Sequence, residues 1–426
     1  MTSATFAVVH AAQLVTVGEG AGGPRRGSEQ GRIEVIEDGA LLARDGRIMI
    51  VGKTADVLAH DDIRGAEVID ASGHVVMPGL IDCHTHPVFA GLRYAEYAER
   101  LAGLSREEVT RRGGGIWKSV VDTRNASRHD LEAAVEKYFA RMVQSGTTTV
   151  EAKSGYGLTL ETELEHLEIL RAVGRSTPLR IVPTFLGAHI VPRDRPDAQT
   201  YAREIIEQML PAVAKQGIAR FCDVSCSPNT FPADVAGPIL DRAAQLGLPG
   251  RVHTDGGVSC GGWTFATAHK AVCADHLTFT PDDEITRVGP TSTIASLIPA
   301  AELYYRLGRR ANARRFIETG VAVAITTDFC SSIHCAALYP LLPVAAAWYW
   351  LTPEELIASV TVNAAHAIGM GREVGTLEAG KRADLLVLEI PDYRMLAFEF
   401  GAESIKRVII DGKVVHARTT GDDHLQ

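Results

Sequence analysis

From Val75 onward the chain repeats one pattern: a short apolar run, a turn, then an amphipathic stretch with apolar residues three and four apart. Eight apolar runs read as strands, at 75–86, 147–154, 179–189, 220–226, 251–255, 271–277, 292–299 and 321–328. Helix-like stretches lie between most of them, for example at 130–145, 160–174, 202–217 and 234–246. Eight strand-helix units in series predict an α/β fold, a (β/α)8 TIM barrel over residues 75–371. The flanks have another rhythm. Residues 32–71 alternate apolar and polar positions around turn signals such as Arg44-Asp45-Gly46-Arg47, and residues 383–417 do the same. Neither flank is long enough for a sandwich alone, so 1–74 and 372–426 are expected to build one small β-sandwich together. Residues 17–31, Gly-rich and charged, read as a mobile loop, and those after Arg418 as a frayed end.

A parallel barrel gathers the C-terminal ends of its strands at one mouth, so polar residues that close the apolar runs are candidates for chemistry. Cys83-His84-Thr85-His86 ends the first run, and alternation along a strand points His84 and His86 the same way, where they can share a metal ion. His253, His276 and Asp328 end three later runs. This set makes a hydrolase the leading idea.

Composition narrows the partners. A net charge of −9 without a Lys/Arg cluster argues against nucleic acid or an anionic membrane, leaving a small molecule. The N-terminus lacks the features of a signal peptide and no apolar stretch can span a bilayer, so a cytoplasmic enzyme is expected. Seven cysteines without framework spacing read as reduced thiols, with Cys222 and Cys226 as packing residues.

Several motifs together resemble the amidohydrolase superfamily and, within it, the imidazolonepropionases. They are Pro78-Gly79-Leu80-Ile81-Asp82-Cys83-His84-Thr85-His86, the loop Gly113-Gly114-Gly115-Ile116, Glu151-Ala152-Lys153-Ser154-Gly155-Tyr156-Gly157-Leu158, Thr184-Phe185-Leu186-Gly187-Ala188-His189, Ala274-Asp275-His276-Leu277 and the tail Gly375 to Leu385. The resemblance covers nearly the whole chain. It implies one divalent ion, zinc or iron, held by His84, His86, His253 and Asp328, with Asp328 also taking the proton of water and His276 steadying the developing oxyanion. It implies Arg93, Tyr156 and His189 as substrate contacts, Arg93 for a propionate carboxylate, and Lys153 as structural. His269, His334 and His366 gain no role from it, and a homodimer is expected.

Two departures fall inside the site. Relatives usually carry Glu or Gln three residues after the strand-5 ligand, whereas Gly256 stands here; after the metal-binding Asp they read Asn-Pro-Gly, whereas Phe329-Cys330-Ser331-Ser332 stands here. A buried group that hydrogen-bonds the substrate ring discriminates strongly, so changing both positions suggests another ring. A thiolate leaves with less protonation than a nitrogen does. The expected substrate is therefore 3-(5-oxo-2-thioxoimidazolidin-4-yl)propionate, as in breakdown of thiol-histidine compounds such as ergothioneine. Hydroxide would add to its C2 and expel hydrosulfide, leaving the hydantoin propionate, with Cys330 as a soft contact for sulfur. The alternative is imidazolonepropionase chemistry, opening 4-imidazolone-5-propionate to N-formimino-L-glutamate. A deaminase and a catalytically silent barrel rank below both.

Overall fold

The computed structural model describes residues 5–18, 22–401 and 404–418. Eight parallel strands in sequence order form the barrel: β1 (Leu80–Thr85), β2 (Thr147–Lys153), β3 (Arg180–Ala188), β4 (Phe221–Cys226), β5 (Gly250–Thr254), β6 (Cys273–His276), β7 (Ile294–Leu297) and β8 (Val323–Ile325). The four helical stretches read from periodicity are present, three as Arg128–Gln144, Leu160–Val173 and Ala233–Gln245. The fourth runs from Ala198 to Gln216 with a π turn at Ile205–Met209, next to Pro211, which has no N–H to give the helix.

The seam between β8 and β1 is closed mainly by side chains. The Thr326 and Thr327 hydroxyls both donate to the Asp82 carboxylate, the latter at 2.6 Å, and His86 N–H donates to the Phe329 carbonyl at 2.7 Å. This pulls the two ends that carry His84, His86 and Asp328 together.

The run at 75–86 is not one strand. Val75–Pro78 belongs to the other sheet, where it pairs antiparallel with Leu385–Leu388 and parallel with Thr5–Val15, and so joins the two chain ends. The break falls at Gly79, where a Cβ would lie 2.2 Å from the Thr148 hydroxyl and 2.8 Å from its Cβ. Gly79→Ala is expected to cost about 1–3 kcal/mol by overpacking, read as a lower urea midpoint. A midpoint equal to wild type would show that Thr148 yields without cost.

The strands outside the barrel, contributed by both chain ends, form one eight-stranded sheet. It curls on itself in the manner of a sandwich: Phe6, Val8 and Leu41 share a buried cluster with Leu385, Val387 and Ile409. Arg44-Asp45-Gly46-Arg47 is the expected hairpin turn, with Asp45 at φ 50° and Gly46 at φ 78°.

The segment at 22–31, within the expected mobile loop, is packed instead. The Gln30 side chain is fully buried and takes both ladder groups of Val323, accepting from its N–H at 3.0 Å and donating to its carbonyl at 3.2 Å. Arg25 N–H donates to Asn363 at 2.7 Å. Backbone groups of the short strand β8 would otherwise be buried unpaired, and these side chains satisfy them. The tail expected to fray after Arg418 lies outside the described residues. The apolar stretch at 338–350 is largely core, with Leu338, Leu341, Leu342, Ala345 and Tyr349 buried and Trp350 exposed. Among the described residues no helix is long and apolar enough to cross a membrane.

Candidate active site

At the C-terminal mouth the strands bring together residues far apart in sequence. His84 and His86 leave β1 on one face, His253 comes from β5, His276 from the end of β6, and Asp328 from the segment after β8. His84 Nε2 lies 3.2 Å from His86 Nε2, which lies 3.3 Å from His253 Nε2. Asp328 Oδ1 lies 3.6 Å from His84 Nε2 and 3.4 Å from His86 Nε2. His276 closes the group, its ring 5.7 Å from that of His84 and 5.4 Å from that of His253.

These spacings fit a cation. Tetrahedral zinc with bonds of about 2.0–2.1 Å to nitrogen holds its ligand atoms about 3.3 Å apart. The other ring nitrogens explain which atoms face inward. His253 Nδ1 hydrogen-bonds Asp223 Oδ1 at 3.0 Å, which turns its Nε2 lone pair to the common point, and His84 Nδ1 lies 3.1 Å from Asp275 Oδ2, a contact of distance without the angle of a hydrogen bond. Lone pairs gathered at such distances repel unless a positive charge lies between them. Burial, with the Lys153 ammonium second, holds the His84 imidazole well below its ordinary pKa. Burial and then His253 do the same for His86, which keeps both rings neutral and able to ligate. Burial pushes the Asp328 carboxyl up to about 6, a displacement that a bound cation would oppose.

Under the histidines lies a charged layer of which the sequence reading assigned Lys153 alone. Glu151, Lys153, Asp223, Arg251 and Asp275 are all fully buried. Lys153 Nζ bridges Glu151 Oε1 at 2.7 Å and Asp223 Oδ2 at 2.8 Å, in keeping with the structural role expected of it. Arg251 donates to Asp275 Oδ1 at 3.2 Å. Each of the two carboxylates beside a histidine thus has its own buried cation. Burial opposes the charge on Asp223, but His253 and Lys153 hold its carboxyl well below the ordinary range. The available signal was a polar residue at an alternate position of an apolar strand, as at Asp223 within Phe221–Cys226.

The backbone at the mouth is strained where side chains are re-aimed. Asp255, His276, Leu277 and Asp328 adopt φ of 50°, 79°, 58° and 52°. Non-glycine residues in this region cost on the order of 1–3 kcal/mol each, and such strain clusters at functional sites.

Of the expected substrate contacts, His189 is stacked on His86 with ring centroids 5.0 Å apart, and its Nδ1–H donates to the Gly155 carbonyl at 2.9 Å, leaving Nε2 as an acceptor. Tyr156 lies beside both rings, at 6.1 Å from His86 and 5.3 Å from His189. Arg93 is nearly buried and already forked onto Glu96, at 3.0 Å through Nε and 2.5 Å through Nη2. A Cβ on Gly256 would lie 3.2 Å from His276 Cγ, so this position abuts the His276 ring without presenting a polar group to it. The neighbouring Asp255 does not replace that group, since its carboxylate accepts from Cys260 N–H and the Thr280 hydroxyl, each at 2.8 Å.

The Cys330 thiol is turned into its own loop. It accepts from Ile333 N–H at 3.3 Å, lies 3.2 Å from the Ser332 hydroxyl, and burial pushes it up to about 11. It packs with Ile298, Ala301 and Ile333. Ser331, unassigned in the sequence, joins the wall through a 2.6 Å hydrogen bond to Ser119 and accepts Arg93 N–H on its carbonyl at 3.0 Å. His269 and His366 lie away from the cluster: His269 faces the exposed Asp241, and the His366 ring packs against Gly371.

Residues 75–415 match the model of the amidohydrolase family. The chain is 43% identical over 420 residues to the imidazolonepropionase of Solibacter usitatus, covering 97% of this chain and 99% of that one. It is 39% identical over 415 residues to that of Brevibacillus brevis, covering 96% and 97%. A mutant of atrazine chlorohydrolase from Arthrobacter aurescens, complexed with zinc and atraton, shares the fold with a TM-score of 0.71 at 17% identity, over 96% of this chain and 95% of that one. Fold and site define a metal-dependent hydrolase. The chain belongs to the amidohydrolase family and is imidazolonepropionase-like.

Proposed function

We propose that this enzyme hydrolyses a five-membered oxo-imidazole ring bearing a propionate, and that its reaction is the opening of 4-imidazolone-5-propionate to N-formimino-L-glutamate. The observation that carries this reading is the likeness, over almost the full length of both chains, to proteins named imidazolonepropionase. It supports ring opening better than it supports the desulfuration expected from the sequence. One divalent ion, zinc first, fits the cage of His84, His86, His253 and Asp328. When bound it lowers the pKa of water toward neutrality and polarises the carbonyl under attack.

The chain's own residues do the rest. The Asp328 carboxylate accepts the proton of the attacking water and returns it to the ring nitrogen as the C–N bond breaks. His276 donates a hydrogen bond to the oxygen on which negative charge develops. His189 and Tyr156 hold the ring beside His86, and Arg93 with Glu96 marks the side on which the propionate sits. The ring-opening water adds across one amide bond, so no second product leaves.

A second reading is favoured by one observation. The site presents no acid or amide at Gly256, next to the His276 ring, to serve a leaving nitrogen. Desulfuration of the 2-thioxo relative asks less of such a group, because hydrosulfide leaves without prior protonation. Metal-loaded enzyme incubated separately with the two propionates decides between them. Loss of imidazolone absorbance without sulfide supports ring opening. Sulfide from the thioxo compound with little imidazolone turnover would overturn it, and turnover of neither would reject the ring class.

A further inference from the structure

We infer that Glu163 is a positioning residue for the substrate site: its carboxylate shapes the loop at 154–158, and through the Gly155 carbonyl that loop sets which ring nitrogen of His189 meets the substrate. The consequence for substrate rests on the proposed function. Glu163 is fully buried near the start of the helix Leu160–Val173. Its Oε1 accepts from Gly157 N–H at 3.0 Å and from Leu158 N–H at 2.8 Å. Burial pushes the carboxyl up, and the groups that oppose this are Leu158 N–H, the Ser154 hydroxyl, Gly157 N–H and Gly155 N–H, all from one loop. Oε2 makes no hydrogen bond of full geometry, so Ser154 and Gly155 are held at longer range. A carboxylate suits this place because it only accepts, with two oxygens to share among four donors.

The loop turns its donors toward Glu163 with Gly155 at φ 110° and Leu158 at φ 59°, the latter a strained conformation for a residue with a side chain. Its carbonyls are then free for other partners. The Gly157 carbonyl accepts from Arg124 Nε at 2.7 Å, and the Gly155 carbonyl accepts from His189 Nδ1–H at 2.9 Å. A carbonyl can only accept, so it fixes the proton of His189 on Nδ1 and leaves Nε2 as the acceptor. The same turn carries Tyr156, with its ring 5.3 Å from that of His189. Both expected ring contacts therefore hang on one buried carboxylate. An amide at position 163 would keep an oxygen for Gly157 and Leu158 but turn its NH2 toward Ser154 and Gly155, donor against donor. The Gly155 peptide would shift, and His189 would lose its fixed partner.

The test compares the zinc-loaded full-length enzyme with Glu163→Gln and Tyr201→Phe. Tyr201 is the control: its hydroxyl lies 3.1 Å from the Leu158 carbonyl and 2.9 Å from the Gly187 carbonyl, so its loss loosens the same loop without touching the carboxylate. Long-range proton–nitrogen correlation spectra of histidine-labelled protein read the His189 tautomer without any turnover, with its signals assigned by their absence in His189→Gln. Wild type is expected in the Nδ1–H form and Glu163→Gln as a mixture. For the propionate substrate that wild type turns over, KM should rise about tenfold in Glu163→Gln, the loss of one hydrogen bond, with kcat and zinc content altered far less. Tyr201→Phe should lower the melting temperature but leave tautomer and KM as in wild type. An unchanged tautomer or KM in Glu163→Gln, or the same changes in Tyr201→Phe, would overturn the role. If Glu163→Gln does not fold, Glu163→Asp, shorter by one methylene, is judged by the same two readouts. Turnover of neither ring by wild type, with the tautomer mixed only in the Glu163 variant, would reject the functional reading and leave the positioning of His189 standing.

Discussion

Asp328→Asn is expected to lower kcat by at least about 10³-fold, the upper range of what a positioned acid-base group supplies. The amide keeps the size of the carboxylate but can neither take the proton of water nor offer the cage a negative ligand. Asp328 Oδ1 lies 3.4 Å from His86 Nε2 and 3.6 Å from His84 Nε2, so the metal should also bind more weakly, as counted by elemental analysis of the purified variant. The two losses separate when kcat is measured at saturating zinc. A variant that regains wild-type kcat there would show Asp328 to be a ligand only, and the assigned proton transfer would be wrong. Asp223→Asn is the companion. It leaves all four inner positions intact and removes only the carboxylate 3.0 Å from His253 Nδ1, so metal affinity should drop about 10–100-fold while kcat at saturation changes less.

The barrel was legible in the sequence because its strands are buried on both faces and therefore read as apolar runs between amphipathic helices. His84, His86, His253 and Asp328 were legible because each closes such a run. The join at Val75–Pro78 was not, since a strand of the terminal sheet flows into β1 without a polar break and only the crowding of Gly79 against Thr148 divides them. The packing of residues 22–31 was hidden for another reason. Arg25 and Gln30 read as solvent-facing, and only the backbone of β8 at Val323 for Gln30, and the Val17 and Gly18 carbonyls for Arg25, give them buried work. Asp223 and Arg251 carry no motif of their own, and Asp275 stood in a motif without a role, because their part is to satisfy one another and the histidines above. Gly256 and Cys330 were visible as departures, but a departure names a position and not the substrate that fits it.

Arg251→Met should cost about 3–5 kcal/mol of folding stability, the usual penalty for breaking a buried ion pair from one side. The guanidinium donates to the Ala367 carbonyl at 2.6 Å, to the Cys83 carbonyl at 2.8 Å and to Asp275 at 3.2 Å. Methionine fills much of the space but satisfies none of these acceptors. It also leaves three buried carboxylates, Glu151, Asp223 and Asp275, against Lys153 as the one cation of the layer. The pH dependence has a definite sign. In wild type, burial opposes the charge on Asp275 but Arg251, with Lys153, lowers its pKa, so that contribution to stability is present above the unfolded value near 3.9 and is lost as pH falls through the folded one. Without Arg251 the same burial raises the Asp275 pKa above the unfolded value, and the variant loses stability as pH rises through it. Urea unfolding of both proteins in chelator should therefore show a larger deficit at pH 8 than at pH 5. A deficit independent of pH would mean that the lost hydrogen bonds to Ala367 and Cys83, and not the uncompensated charge, carry the cost. A deficit within about 0.5 kcal/mol, the range of an ordinary surface substitution, would mean that water or Lys153 replaces the guanidinium and that the layer does not hold His84 in place through Arg251.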